Sequence, residues 1–265
     1  MTPRTTIRDL SAWKAQGKRF AMLTAYDYPT ARILDEAGIP VLLVGDSLAQ
    51  VVLGYETTLP VTMEEMLHHC RAVTRGAQNS LVIGDMPFLS YQTSPTEAIR
   101  NAGRFLKEGG AHAVKIEGPL VELAGELVAR GIPVMGHLGL TPQSVHQMGG
   151  YRVQARTEEA AHRLLEDAAG LEKAGVFALV LEGIPSAVAE EVTAGVQVPT
   201  IGIGAGPSCD GQVLVITDLL GLGGEKAPKF VKPYADLRGE ITEAVQAFKK
   251  EVEEGTFPDE AHSYS

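Results

Sequence analysis

The 265-residue chain holds two cysteines, one tryptophan, no cluster of basic residues and no apolar run approaching a membrane span. Each shortage excludes something. Cys70 and Cys209 lie far apart and match no metal spacing such as CxxC, so they read as buried thiols in a reducing cytosol. With 33 acidic residues against 23 basic ones, the net charge is -10, and no concentrated basic face is available to grip a phosphate backbone. Nucleic acid is not an expected partner. A spanning helix needs about 20 consecutive apolar residues, so no membrane association is expected either. The start Met1-Thr2-Pro3-Arg4 leads into no apolar h-region, and a cytoplasmic protein is expected.

What the chain does contain is a repeated unit. Leu34-Asp35-Glu36-Ala37-Gly38 leads into the apolar run Ile39 to Val44. Leu106 to Gly110 leads into Ala113 to Ile116, Leu127 to Gly131 into Ile132 to Met135, and Leu171 to Gly175 into Val176 to Leu181. Each block reads as a helix end, a glycine suited to positive φ, then a short strand. Runs without polar alternation suit strands of a parallel sheet covered on both faces. Phe20 to Thr24, Leu81 to Asp85, Thr200 to Ile203 and Val213 to Ile216 bring the expected strands to about eight. Ser94-Pro95-Thr96-Glu97 and Thr62-Met63-Glu64-Glu65 have capping-box patterns at helix starts. Eight alternating units predict an α/β protein with a (β/α)8 TIM barrel; periodicity alone leaves an open doubly wound sheet possible. Composition is ordinary for one globular domain, 45% hydrophobic and 21% charged. Residues 1–265 are expected to form a single barrel domain with a short N-terminal helical lead-in and a polar C-terminal tail.

In such a barrel the C-terminal strand ends carry the active site. Here they hold Asp46-Ser47, Asp85, Lys115 with Glu117, His137 and Glu182, while the seventh strand runs into Gly202 to Gly206. One aspartate after a strand is often only a helix N-cap. Five strand ends bearing ionisable groups are harder to read that way, because such groups are costly to desolvate unless paired or metal-bound. An oxygen-rich set without thiols favours Mg2+. Lys115 and Glu117, two apart on a strand, share a face; a structural ion pair inside the barrel is the competing reading. Glu182 follows apolar residues, and dehydration there would raise its proton affinity and suit a general base. His137 reads as an orienting group, and His68-His69 as helix neighbours facing different ways. Gly202 to Gly206 fits a phosphate cradle or a tight turn equally well.

At these residues the chain resembles the ketopantoate hydroxymethyltransferase family. The matching segments include Leu23 to Asp27, Val44 to Ser47, Gly84 to Phe88, Val114 to Gly118, Gly136-His137 through Tyr151, Leu181-Glu182, Gly202 to Gly206 and Cys209 to Val213. The resemblance implies a phosphoenolpyruvate/pyruvate-type barrel and Mg2+. It also implies hydroxymethyl transfer from 5,10-methylenetetrahydrofolate to 3-methyl-2-oxobutanoate through a Mg-stabilised enolate. It makes Asp46, Asp85 and Glu117 metal-site groups, with Asp46, Ser47, Asp85 and Lys115 binding substrate and His137 orienting substrate or ligands. Glu182 becomes the catalytic base, and a homo-oligomer, commonly a homodecamer, is implied. Two positions depart from the pattern: Ala155 stands where glycine is usual, and Thr217 where histidine is frequent.

Two other functions compete. A phosphoenolpyruvate-mutase or isocitrate-lyase-like enzyme would share barrel and metal, but its KxCxH-type loop is missing. A non-catalytic metabolite-binding barrel would use Gly202 to Gly206 for a phosphate and show no metal dependence.

Overall fold

Val41 to Val44 alternates between two apolar surroundings, the barrel interior and a coat of helices, so it needs no polar side. The same holds around the fold of the computed structural model, which describes residues 4–223 and 228–264. The strands are β1 (Phe20–Thr24), β2 (Val41–Val44), β3 (Leu81–Asp85), β4 (Ala113–Glu117), β5 (Val134–Gly139), β6 (Ala178–Glu182), β7 (Thr200–Ile203) and β8 (Gly211–Leu214). Each pairs in parallel with the next, and β8 closes onto β1, giving the expected barrel rather than an open sheet.

Alternate residues point inward. Phe20 and Met22, Val41 and Leu43, Leu81 and Ile83, Ala178 and Val180 form one buried core with Met135, Ile201 and Val213. The lead-in helix Ile7–Ala15 joins that core through Leu10, which is fully buried. Its start is fixed by a capping box in which the Asp9 backbone N–H donates to Thr6 Oγ1 and the Asp9 carboxylate accepts from the Thr6 N–H. Burying a leucine stabilises by about 1.5–3 kcal/mol, and Ile7 and Trp13, partly buried, pack against the same core.

Two expectations shift locally. The last strand lies at Gly211–Leu214, two residues before the expected run, and Ile216 opens a short helix instead. Gly211 pairs with Phe20, and a Cβ there would come within 2.8 Å of the Phe20 ring, so glycine is needed at this strand position. The capping box at Thr62 forms completely, but at Ser94 only half does. Ser94 Oγ accepts from the Glu97 N–H, whereas the Glu97 carboxylate is taken by Thr93 Oγ1.

Contacts divide the chain into a first unit ending at Val215 and a second beginning at Ile216. In the second, read from sequence as a polar tail, Asp236 caps the helix Leu237–Glu254 by accepting from the Gly239 N–H. The N–H groups of Tyr234 and Leu237 donate to the carbonyls of Leu219 and Leu220. Among the described residues no helix is long and apolar enough to cross a membrane.

Candidate active site

Register decides which strand ends meet. Asp85 pairs with Lys115, Glu117 with His137, and Gly139 with Glu182. Paired residues of parallel strands share a face. Counting by twos from the inward residues Ile83, Ala113, Met135 and Val180 puts Asp85, Lys115, Glu117, His137 and Glu182 on the inner rim. Ile116, between Lys115 and Glu117, packs outward and is fully buried.

Lys115 sits at the centre. Its Nζ is 2.9 Å from Asp85 Oδ1, 3.6 Å from Glu117 Oε1 and 3.1 Å from His137 Nδ1. Asp85 is 1% exposed and Lys115 3%, so this pair is out of water. The Lys115–Glu117 ion pair of the competing reading is met only at 3.6 Å, and Asp85 is the closer partner of Lys115. Asp46, in the turn after β2, donates its backbone N–H to Asp85 Oδ2 at 3.0 Å. Ser47 follows at the start of the helix Leu48–Val51; its hydroxyl makes no capping bond and lies 2.9 Å from Tyr26 Oη. His137 Nε2 reaches to 3.3 Å from Glu182 Oε2. Every predicted site residue therefore falls in one cluster.

The electrostatics show an excess of carboxylate. Burial, then the charges of Asp85 and Glu117, push the Asp46 carboxyl well above its ordinary range. Asp85 is also raised, because burial and Glu117 outweigh the pull of Lys115. Glu117 moves the other way: burial opposes its charge, but Lys115 and His137 hold it below the usual range. Lys115 stays firmly protonated, its burial outweighed by Asp85, Glu117 and Asp46. For His137, burial and Lys115 push down, yet the Glu117 and Glu182 carboxylates at 3.5 and 3.3 Å lift the imidazole to about 9. An ammonium can only donate, so the Lys115 contact is a hydrogen bond only when Nδ1 is bare. The charge on His137 thus depends on how much carboxylate charge around it stays uncompensated. Glu182 keeps 16% of its side chain exposed, so the condition of dehydration is met only in part.

A divalent cation would answer that excess. Among the described residues no three His, Cys, Asp or Glu side chains close into a ready-made metal cage. Mg2+ seldom uses one; it binds through one or two carboxylates and keeps waters or substrate oxygens. The raised Asp46 carboxyl and the buried Glu117 Oε1, which has no hydrogen-bond partner, fit such an ion.

Three contributors are missing from the sequence reading. Gln143, in the short turn Pro142–Ser144 after β5, donates through Nε2 to Asp46 Oδ2 at 3.0 Å and through its backbone N–H to Glu117 Oε2 at 2.9 Å. Tyr91 and Tyr26 are buried, with hydroxyls on Gln143 and Ser47. The signal for Gln143 is faint: an amide two residues past Thr141 in a segment that otherwise reads as a helix start. Gly202 to Gly206 resolves as a tight turn. Gly204 and Gly206 have positive φ, and a Cβ on Gly206 would overlap Ser186. The departures also find places. Ala155 has φ +52°, a conformation glycine adopts freely, and Thr217 Oγ1 is buried without a hydrogen-bond partner.

Solved structures share this architecture. Phosphonopyruvate hydrolase in complex with oxalate and Mg++ superposes with a TM-score of 0.63 at 12% identity, covering 100% of this chain and 92% of that one. 2,3-Dimethylmalate lyase, a PEP mutase/isocitrate lyase superfamily member, gives 0.62 at 19%, covering 98% and 92%. The fold these proteins share with the chain is the (β/α)8 barrel. Sequence narrows the class. A protein of Carboxydothermus hydrogenoformans named 3-methyl-2-oxobutanoate hydroxymethyltransferase is 57% identical, the match covering 99% of this chain and 96% of that one. One of Geotalea daltonii with the same name is 56% identical over the whole of both chains. Residues 4–260 match the family described as Ketopantoate hydroxymethyltransferase. The chain belongs to that family of hydroxymethyl transferases.

Proposed function

We propose that this chain transfers a hydroxymethyl group from 5,10-methylenetetrahydrofolate to 3-methyl-2-oxobutanoate, giving 2-dehydropantoate for pantothenate biosynthesis. The observation that carries the reading is the buried cluster of Asp46, Asp85, Lys115, Glu117 and His137, with Glu182 at its open side. Family membership selects the substrates. The phosphoenolpyruvate-mutase-like alternative rests on fold alone, and likeness at 12–19% identity carries no activity.

Asp46, Asp85 and Glu117 would hold Mg2+. Bound there, the ion would supply Lewis acidity toward the carboxylate and keto oxygens of the oxo acid. Lys115, protonated and fixed between Asp85 and Glu117, adds a positive charge where the substrate becomes more anionic. Ser47 orients the substrate, its hydroxyl in turn held by Tyr26. Glu182 takes the proton from C3, and its partial exposure leaves it a route to release that proton. General-base catalysis of this kind contributes about 10²–10⁴-fold. His137, between Lys115 and Glu182, orients the base. The C3 carbanion equivalent then attacks the methylene carbon of the folate in its N5-iminium form, forming the new C–C bond as the C=N π pair returns to N5. Water then cleaves the CH2–N5 bond, its hydroxyl going to the methylene carbon and its proton to N5 of the departing tetrahydrofolate. A cytoplasmic homo-oligomer, a homodecamer by family resemblance, completes the reading.

The test is product formation. Protein, Mg2+, 3-methyl-2-oxobutanoate and 5,10-methylenetetrahydrofolate should yield 2-dehydropantoate by mass spectrometry, and chelation should stop it. Turnover of phosphonopyruvate or isocitrate, with none of the oxo acid, would overturn the assignment.

A further inference from the structure

Gln143 uses its whole side-chain amide and its backbone N–H in hydrogen bonds. A glutamine amide offers two N–H donors and one acceptor oxygen. Nε2 donates to Asp46 Oδ2 at 3.0 Å and to the Met86 carbonyl at 2.9 Å. Oε1 accepts from the Tyr91 hydroxyl at 2.6 Å and from Gln92 Nε2 at 3.3 Å. The backbone N–H donates to Glu117 Oε2 at 2.9 Å. Tyr91 is occupied on its other side, its oxygen accepting from the Glu117 N–H at 3.1 Å. The amide therefore has one orientation only. Flipped, its oxygen would face the Met86 carbonyl, which cannot donate.

Gln143 and Asp46 are 97 positions apart in sequence, and the contact spans the barrel mouth from the β5 loop to the β2 loop. Gln143 and Tyr91 are 5% and 2% exposed, so these bonds face no competition from water. Together they fix one oxygen of Asp46 and one of Glu117. Glu117 Oε1 is left buried and without a hydrogen bond, with Lys115 Nζ at 3.6 Å and His137 Nδ1 at 3.5 Å as its charged neighbours.

We infer that Gln143, held by Tyr91, is a positioning residue that selects which carboxylate oxygens of Asp46 and Glu117 face a divalent cation. The physical logic is that of outer-shell groups generally. A carboxylate tied through one oxygen presents the other in a single direction, and losing such a partner costs about 10–100-fold in metal affinity. Gln143 need not touch metal or substrate to act this way. This inference rests on the reading that Asp46 and Glu117 hold Mg2+.

Calorimetric titration of Mg2+ into the full-length protein tests it, with thermal melting in EDTA as the control for folding. Wild type should bind Mg2+; failure there would overturn the proposed function, not the role of Gln143 alone. Gln143→Met keeps the volume and removes both side-chain donors. It should weaken Mg2+ about 10–100-fold, and turnover lost at low Mg2+ should return at high Mg2+. A purely structural lesion would not be rescued by the ion. Tyr91→Phe, which keeps the ring, should weaken Mg2+ in the same direction and carries the test if Gln143→Met does not fold. The double variant should lose less than the sum of the two single losses, because the Tyr91 hydroxyl acts partly through Gln143 and partly through its own bond from the Glu117 N–H. Wild-type Mg2+ affinity in both single variants, or fully additive losses in the double variant, would overturn the inference.

Discussion

His137 Nε2 lies 3.3 Å from Glu182 Oε2, while the other ring nitrogen lies 3.1 Å from Lys115 Nζ. One imidazole thus joins the proposed base on β6 to the charged centre on β4. The contact follows from register, since the Glu117–His137 and Gly139–Glu182 pairings set both side chains on the inner face. His137→Asn should lower kcat about 10–100-fold, the usual cost of losing an orienting partner, with a smaller change in the KM for 3-methyl-2-oxobutanoate. Steady-state kinetics would check this, and an unchanged kcat would remove His137 from the mechanism.

Asp85 and Lys115 carry the heaviest electrostatic load. Removing one partner of a buried pair typically costs about 3–5 kcal/mol, because the other charge is stranded. Asp85→Ala leaves Lys115 Nζ with Glu117 at 3.6 Å as its nearest carboxylate. The variant should melt markedly lower and bind Mg2+ more weakly. Unaltered Mg2+ affinity would count against Asp85 as part of the cation site.

Ala155 holds φ +52° where the family resemblance places glycine. A left-handed conformation costs a residue with a Cβ about 1–2 kcal/mol, partly offset by the extra freedom glycine has when unfolded. Ala155→Gly should therefore stabilise the protein, by up to about 1 kcal/mol in urea unfolding, with turnover unchanged. Destabilisation would mean that the methyl group packs usefully.

Stability should respond to acid through Asp35. Burial opposes its charge, but hydrogen bonds from Ser80 and from the N–H groups of Asn79 and Ser80 outweigh that and hold its carboxyl below the ordinary range. A depressed folded pKa means the contribution is complete above the unfolded pKa, about 3.9, and lost as pH falls through the folded value. Asp35→Asn should cost about 2 kcal/mol near pH 7, and the gap to wild type should narrow below about pH 4. A gap independent of pH would show that packing, not charge, carries the effect.

Much of this was legible in the chain. The glycine-terminated helix ends and unbroken apolar runs specify the barrel, since Val41 to Val44 and Ala178 to Leu181 would be insoluble on an exposed face. The strand-end residues Asp85, Lys115, Glu117 and His137 were legible because period-two alternation fixes their direction. Gln143 was not, because its role depends on meeting Asp46 from a different loop, and no local pattern encodes that encounter. The start of the last strand at Gly211, before the expected Val213, was hidden for a related reason. The strand role of Gly211 comes from the Phe20 ring on the neighbouring strand, a contact that no local pattern reveals. The partial exposure of Glu182 depends on how far the loops close over the mouth, which strand periodicity does not determine.

The central claim is that this rim of carboxylates, with Lys115 and a divalent cation, makes the C3 proton of a 2-oxo acid removable by Glu182. Exchange at C3 of 3-methyl-2-oxobutanoate in deuterated water, without folate, measures that step alone. Wild type should exchange the proton only with Mg2+ present, and Glu182→Gln should bind the oxo acid but leave C3 undeuterated. Exchange at the wild-type rate in Glu182→Gln, or exchange indifferent to Mg2+, would contradict the account.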